Sequence, residues 1–117
     1  MKQNIVKNKS FVFAVEIVSL YKNLTSNKKE FVMSKQLLRS GTSIGANIRE
    51  AEFAQSKADF IHKLSIALKE ANETDYWLDL LFAANYLSKN EFDSYKIKSQ
   101  EMLRLLISIV KSSKNNC

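Results

Sequence analysis

The stretch that decides the fold is RSGTSIGANIREA, Arg39–Ala51, which holds both glycines of the chain, Gly41 and Gly45. It has two opposed interpretations: a phosphate-binding loop, or a helix whose small residues let a neighbour approach closely. A P-loop has four residues between its glycines and then Lys with Ser or Thr. Here three residues intervene, and Ala46 and Asn47 follow. A dinucleotide fingerprint needs three glycines after a strand, and no strand is predicted before this stretch.

A helix accounts for the same residues. Leucine, isoleucine and small residues recur at alternating spacings of four and three, in the row Leu37, Gly41, Ile44, Ile48 and Ala51. A polar row runs beside it: Gln36, Ser40, Ser43, Asn47 and Glu50. Each glycine costs a helix about 1 kcal/mol relative to alanine, which close packing can offset. We therefore predict a helix over about residues 29–53, with its glycines at close-contact positions.

Three further amphipathic segments are predicted, at about residues 8–24, 57–87 and 91–112. Their apolar rows recur at helical spacing. The rows are Phe13, Ile17, Leu20 and Leu24 in the first segment; Phe60, Leu64, Ala67, Ala71, Thr74, Leu78 and Leu81 in the next; and Phe92, Tyr95, Ser99, Met102, Leu106 and Ile109 in the last. A second row in the first segment, formed by Phe11, Val15 and Val18, is expected to widen its apolar face.

Short polar joints separate the four segments. Ser56 with Asp59, and Asn90 with Asp93, have the spacing of a helix N-cap and an acid in the first turn. The chain has no proline and only two glycines, which disfavours a turn-rich sheet protein. The pattern predicts an all-α fold, an antiparallel up-and-down four-helix bundle, in a single domain over residues 1–117.

The charge of the chain points to an acidic partner. Its net charge is +6, and the first 29 residues hold six lysines and one acid. Such a balance favours nucleic acid. The candidate contacts are basic residues near the first joint and on the middle helices: Lys22, Lys28, Lys29, Arg39, Arg49, Lys57 and Lys63. With no apolar run of bilayer length and no signal-peptide pattern, we predict a cytoplasmic protein without membrane contact.

Catalytic and metal chemistry find little support in the sequence. His62 is the single histidine and Cys117 the single cysteine. A carboxylate-bridged metal bundle needs Glu-x-x-His on two helices, and a hydrolytic triad needs an activated nucleophile beside its histidine. We therefore predict no metal, no cofactor and no enzymatic activity.

Two acidic residues of the third segment are expected to need ion-pair partners. Glu70 and Glu73 lie on the helix side that carries Ile66 and Trp77, so partial burial and ion pairing are expected. The predicted structural ion-pair set comprises Arg39, Arg49, Glu50, Glu70 and Glu73, within one chain or across a subunit boundary. Aromatic residues also crowd this segment, and for them core packing or a subunit interface is favoured over base stacking: Tyr76, Trp77, Phe82 and Tyr86.

Two blocks of this sequence resemble a known family. They are LLRSGTSIGANIREA at Leu37–Ala51 and FIHKLSIALKEANETDYWLDLL at Phe60–Leu81. Together they resemble the bacterial four-helix-bundle proteins encoded in intervening sequences of 23S ribosomal RNA genes, over about residues 8–113. The chain departs from that pattern twice: the family often has proline where this chain has Gly45, and usually glycine where it has Ala51.

The resemblance implies an up-and-down bundle without enzymatic activity that assembles into a ring-like homo-oligomer, a pentamer in relatives. Similar accessory proteins of diversity-generating retroelements bind nucleic acid and a reverse transcriptase through a basic ring surface. The leading hypothesis is therefore an oligomeric nucleic-acid-binding protein, with RNA favoured over DNA. The alternatives are a protein-interaction scaffold that docks a partner on its third helix and, with less support, a metal or nucleotide enzyme.

Overall fold

The computed structural model describes residues 2–115, with side chains from residue 4 onward, and has four helices. They are α1 Lys2–Ser26, α2 Met33–Glu52, α3 Lys57–Ala83 and α4 Lys89–Asn115. Helices α1 and α3 each pack on both α2 and α4, and consecutive helices are antiparallel neighbours. The molecule measures 47 × 21 × 19 Å. The predicted all-α, up-and-down four-helix bundle is confirmed, and the described residues contain no strand.

The predicted apolar rows form the core. In α2 the whole row is buried: Leu37, Gly41, Ile44, Ile48 and Ala51. The central members of the other rows are buried with it: Phe13, Ile17, Leu20, Leu24, Leu64, Ala67, Ala71, Thr74, Leu78, Leu81, Ser99, Met102, Leu106 and Ile109. Two hydroxyls bond inside this core, where Thr74 Oγ1 donates to Ser40 Oγ at 2.9 Å. That bond ties α3 to α2 without leaving either hydroxyl unsatisfied.

Both glycines face α1 at close range, as predicted. A methyl group at Gly41 would lie 2.8 Å from Ile17 Cγ2, closer than carbon atoms pack. At Gly45 it would lie 3.3 Å from Ser10 Oγ. Neither glycine has a positive φ, so neither is required by a turn, and their role is to let α1 approach α2 closely. Helix α2 runs unbroken through both of them, which rules out a phosphate loop at this stretch.

The first helix differs from its prediction in two ways. It begins at Lys2 instead of about residue 8, because Val6 and Ser10 continue the buried row toward the N-terminus. Because Ser10 is polar, the apolar pattern of the sequence does not indicate this continuation. The expected second apolar row is wrong, since Phe11 and Val15 are 62% and 54% exposed. One face of α1 therefore presents apolar side chains to the outside.

The helix ends also differ from the predicted ones. Helix α3 stops at Ala83 because Asn85 takes a left-handed φ of 69° and Tyr86 N donates to Leu81 O at 2.9 Å. Helix α4 begins earlier than predicted, capped by Ser88 instead of Asn90. The Ser88 hydroxyl accepts from Glu91 N at 3.2 Å, and Glu91 Oε1 accepts from Ser88 N at 2.9 Å. This reciprocal pair is a capping box.

The third helix is capped as the sequence predicts. Ser56 Oγ accepts from Asp59 N at 3.0 Å, and Asp59 Oδ2 accepts from Gln55 N at 3.2 Å. The predicted second helix starts later than expected, at Met33, because Lys29 has a left-handed φ of 57°. Residues 27–32 thus form a longer connection than the sequence indicated.

Candidate functional site

Four exposed lysines surround the connection between α1 and α2, and we call this region the lysine end. Lys22 lies near the end of α1, Lys28 and Lys29 lie in the connection, and Lys35 lies in the first turn of α2. None of the four forms an ion pair with another described residue. Sequence reasoning predicted the first three and missed Lys35, whose position at a helix start was hidden by the misplaced boundary of α2.

An inward-facing carboxylate organises the lysine end. Glu30 is only 7% exposed, and its carboxylate accepts hydrogen bonds from the backbone N–H groups of Val32, Met33 and Ser34 at 3.1, 3.0 and 2.6 Å. Ser34 Oγ donates back to Glu30 O at 2.7 Å. Burial would raise the pKa of Glu30, but the backbone hydrogen bonds outweigh it and lower the pKa below its ordinary 4.5. The acid caps α2 and points away from solvent.

A second acid lies near the lysine end, at the start of α4. The backbone hydrogen bond from Ser88 lowers the pKa of Glu91, and the charge of Lys28 adds to the effect. Lys28 is thus within electrostatic reach of one carboxylate, although the two groups are not in ion-pair contact. Lysine charge predominates in this region.

The remaining predicted nucleic-acid contacts lie elsewhere. Arg49, Lys57 and Lys63 belong to the opposite end, where α2 leads into α3. Lys63 Nζ pairs with Glu50 Oε1 at 2.9 Å, and this hydrogen bond raises the pKa of Lys63. Arg49 forms no ion pair with another described residue, and Lys57 is exposed at the first residue of α3. These three predicted contacts are therefore separated from the lysine end by much of the length of a bundle that measures 47 Å.

Arg39 lies at mid-height, on the side where α2 meets α3. Its Nη2 lies 2.6 Å from Glu73 Oε2 and its Nη1 lies 3.6 Å from Glu70 Oε2. Glu73 Oε2 also accepts from Trp77 Nε1 at 3.1 Å. Of the predicted ion-pair set, the structure brings these three charged residues together. Arg49 lies outside that cluster, and Glu50 pairs with Lys63 instead.

The outward face of α1 and its neighbour α2 form an apolar groove. This α1–α2 groove is lined chiefly by Phe11, Val12, Ala14, Thr42, Gly45 and Ala46. Phe11 and Val12 are 62% and 57% exposed, a large apolar area for a helical surface. The small residues of α2 form its floor. Gly45, which lets α2 approach Ser10 of α1, therefore also lies at the base of the groove between the two helices.

A second apolar groove lies between α3 and α4. This α3–α4 groove is lined chiefly by Leu68, Asn72, Glu73, Tyr76, Leu103 and Ile107. Tyr76 and Ile107 are about half exposed, at 56% and 51%. Because each helix contacts two neighbours in a square arrangement, the two grooves lie on opposite sides of the bundle. Of the aromatic residues predicted for the third segment, Tyr76 therefore lines this groove, whereas the others pack against the core: Trp77, Phe82 and Tyr86.

Features associated with catalysis are sparse in the described region. His62 is exposed on α3. No group of three or more His, Cys, Asp or Glu residues within residues 2–115 is arranged to hold a metal ion. Cys117 lies outside the described residues. None of the described helices combines the length and apolar character needed to cross a bilayer.

Comparisons with known proteins agree with this architecture. A crystal structure of a protein with unknown function from the S23 ribosomal protein family of Bacteroides thetaiotaomicron VPI-5482 is 65% identical in sequence, with a TM-score of 0.93. The match covers 95% of this chain and 99% of the other. No curated protein matches. The model of the family described as 23S rRNA-intervening sequence protein matches residues 2–108. The chain therefore belongs to the 23S rRNA-intervening sequence protein family.

Proposed function

We propose that this protein is a non-enzymatic, ring-like homo-oligomer that binds nucleic acid, RNA in preference to DNA, through its lysine end. The observation that carries the proposal is the set of four exposed lysines at one end of the bundle that form no ion pair with another described residue. Seven other basic side chains face an acid: Lys7, Lys9, Arg39, Lys63, Lys89, Lys96 and Lys98. Unpaired lysines remain available to neutralise phosphates and release counterions.

RNA is favoured by the family to which the chain belongs. The description of that family refers to the 23S ribosomal RNA intervening sequence. Charge alone selects no base sequence, so the proposed binding is electrostatic and strongly dependent on salt.

Assembly is supported by the two apolar grooves. The α1–α2 groove and the α3–α4 groove lie on opposite sides, so the exposed apolar side chains of the first can pack on those of the second in a neighbouring copy, in a head-to-tail contact. Head-to-tail contacts that close produce a ring. A closed ring whose bundles are parallel to its axis would place all the lysine ends on one face. The resemblance supports a pentamer, which would carry a net charge of about +30 from five +6 chains.

The test is a binding titration at two salt concentrations with the purified oligomer. Structured RNA should bind at low salt and dissociate as salt rises, with a slope proportional to the number of phosphates neutralised. The Lys28→Ala/Lys29→Ala double variant should reduce both affinity and slope. Lys111→Ala/Lys114→Ala, which removes two exposed lysines near the opposite end, is the matched control and should change neither beyond the effect of the same loss of net charge. Binding that is insensitive to salt would refute the mechanism.

The scaffold alternative draws on the same grooves, which fit an apolar helix of a partner such as a reverse transcriptase as well as a second copy. Molar mass by light scattering distinguishes the two. A monomer that binds no RNA at low salt would favour the scaffold, because both grooves would then remain open. An oligomer with salt-dependent RNA binding would favour the proposed function.

A further inference from the structure

Two consecutive apolar side chains project from the centre of the lysine end. Phe31 is 60% exposed and Val32 is 75% exposed. They lie in the segment KKEFVMSK, which runs from Lys28 to Lys35 and carries three of the four unpaired lysines. An isolated apolar residue on a protein surface indicates nothing by itself. An exposed aromatic ring within a cationic surface is typical of nucleotide binding, because the ring can stack on a base while the cations contact the phosphates.

The backbone around Phe31 is held in place. The Glu30 carboxylate accepts from the N–H groups of the three residues that follow Phe31, and Glu30 N donates to Leu24 O at 3.0 Å. Lys29 is held in a left-handed conformation just before this anchor. With Glu30 directed inward, the next side chain is directed outward. Because the backbone at Phe31 is already ordered, little backbone freedom is lost when a flat ligand stacks on its ring.

The proposed assembly does not account for these side chains. Phe31 and Val32 line neither the α1–α2 groove nor the α3–α4 groove. Phe31 also has no stacked ring or cation–π partner among the described residues. The ring is therefore free to meet a partner on the same surface as the lysines.

We propose that Phe31 is a stacking platform for an unpaired base, so that the lysine end selects single-stranded or looped nucleic acid over continuous duplex. This inference rests on the proposed function and specifies its ligand. Every base has a face that can stack on an aromatic ring, but bases within a duplex are already stacked on each other. The lysines contact phosphates on either side of the stacked base, and Val32 extends the apolar surface beneath it.

The experiment is a fluorescence-anisotropy titration of the full-length oligomer with labelled RNA probes. One probe is an unstructured strand of about eight nucleotides, within the usual site size for such proteins. The other is a blunt duplex of the same length. The strand should bind more tightly than the duplex. Phe31→Ala should weaken strand binding by about 5- to 150-fold, the range that stacking of one base contributes, and should leave the salt slope unchanged.

Three variants isolate the role of the ring. Phe31→Leu keeps an apolar side chain without a flat face and should bind as poorly as Phe31→Ala. Phe31→Trp should retain affinity, and its added emission should be quenched by the strand but not by the duplex. Phe53→Ala removes an aromatic residue that is 80% exposed at the opposite end, and should leave binding unchanged.

The outcomes separate this inference from the function beneath it. Unchanged strand affinity in Phe31→Ala, with a reduced slope in Lys28→Ala/Lys29→Ala, would overturn stacking and leave the electrostatic function in place. Tighter binding of the duplex probe than of the strand would also overturn stacking and leave the electrostatic function in place. If Phe31→Ala lowered the molar mass of the oligomer, the ring would be a subunit contact and the inference would be wrong. Absence of binding to either probe at low salt would overturn the proposed function itself.

Discussion

Replacing Gly41 with alanine should destabilise the protein, against the usual expectation for a helical glycine. Alanine improves helix propensity by about 1 kcal/mol. The added methyl group, however, would lie 2.8 Å from Ile17 Cγ2 and 3.0 Å from Ile17 Cγ1, both part of a fully buried side chain. Overpacking a filled core costs about 1–3 kcal/mol. We therefore expect a net loss of up to about 2 kcal/mol in the free energy of unfolding.

The matched control is the same substitution one turn along α2. At Gly45 the nearest atom is Ser10 Oγ at 3.3 Å, a lighter contact than the one at Gly41. Gly45→Ala should therefore cost less than Gly41→Ala by about 1–2 kcal/mol, since it gains the same helix propensity against a smaller clash. Urea unfolding followed by circular dichroism, at one fixed protein concentration, measures both differences.

A double-mutant cycle with Ile17 identifies the clash itself. Ile17→Ala alone should cost about 2–5 kcal/mol, because it empties part of a packed core. In that background the methyl group of Gly41→Ala meets space instead of Ile17, so the substitution should become neutral or stabilising. Equal effects of Gly41→Ala in both backgrounds would refute the close-approach explanation of this glycine.

Three shorter predictions follow from other contacts. Glu30→Gln should lower stability by about 1 kcal/mol near neutral pH. Since the pKa of Glu30 is depressed below 4.5, this difference should hold above that value and vanish as acid protonates the wild-type carboxylate, measured by thermal melts across pH. Thr74→Val should cost about 1 kcal/mol in urea unfolding, because Ser40 loses a buried partner. Phe11→Ser and Ile107→Ser, in opposite grooves, should each lower the molar mass of the proposed oligomer by light scattering, and an unchanged mass in both would argue against groove-to-groove assembly.

The sequence predicted the parts of the fold that depend on local periodicity. The row from Leu37 to Ala51 repeats at helical spacing, and a helix that keeps such a row must bury it. Gly41 in this row and Gly45 beside it are both contact points with α1, as predicted, because the cost of a helical glycine is offset where close packing compensates. Ser56 was recognised as a cap for the same reason, since a cap depends on residues three positions apart.

The parts that were missed depend on packing between helices. Phe11 and Val15 follow the helical period as well as Phe13 does, and only the position of α2 and α4 decides which row faces inward. The burial of Ser10 depends on its contact with Gly45 across the α1–α2 interface, which the spacing within α1 does not record. The capping role of Glu30 arises only where the chain turns at Lys29, so it depends on a backbone conformation that the residue pattern does not indicate.

The ion pairs show the same division between local pattern and helix alignment. Arg39 was expected to pair with acids of the third helix, and it lies beside Glu70 and Glu73. The partner of Glu50 depends on how far α3 is shifted along α2, and that shift places Lys63 opposite it. The spacing of residues within one helix carries no information on how far two helices are shifted along each other. Residue type indicated that these groups pair, whereas geometry decided with which partner.

The distribution of charge and apolar surface assigns different tasks to the sides and the ends of the bundle. Ion pairs bridge every side of the bundle: Lys7 to Glu52 across α1–α2, Arg39 to Glu73 across α2–α3, Lys96 to Asp75 across α3–α4, and Lys9 to Glu101 across α1–α4. The α1–α2 and α3–α4 sides also carry the two apolar grooves, and the lysine end carries lysines that form no ion pair with another described residue. If groove contacts govern assembly and the lysine end governs binding, groove variants should lower RNA affinity only through lost avidity, with the affinity of each subunit retained. Lysine variants should lower the affinity of each subunit while leaving the molar mass unchanged.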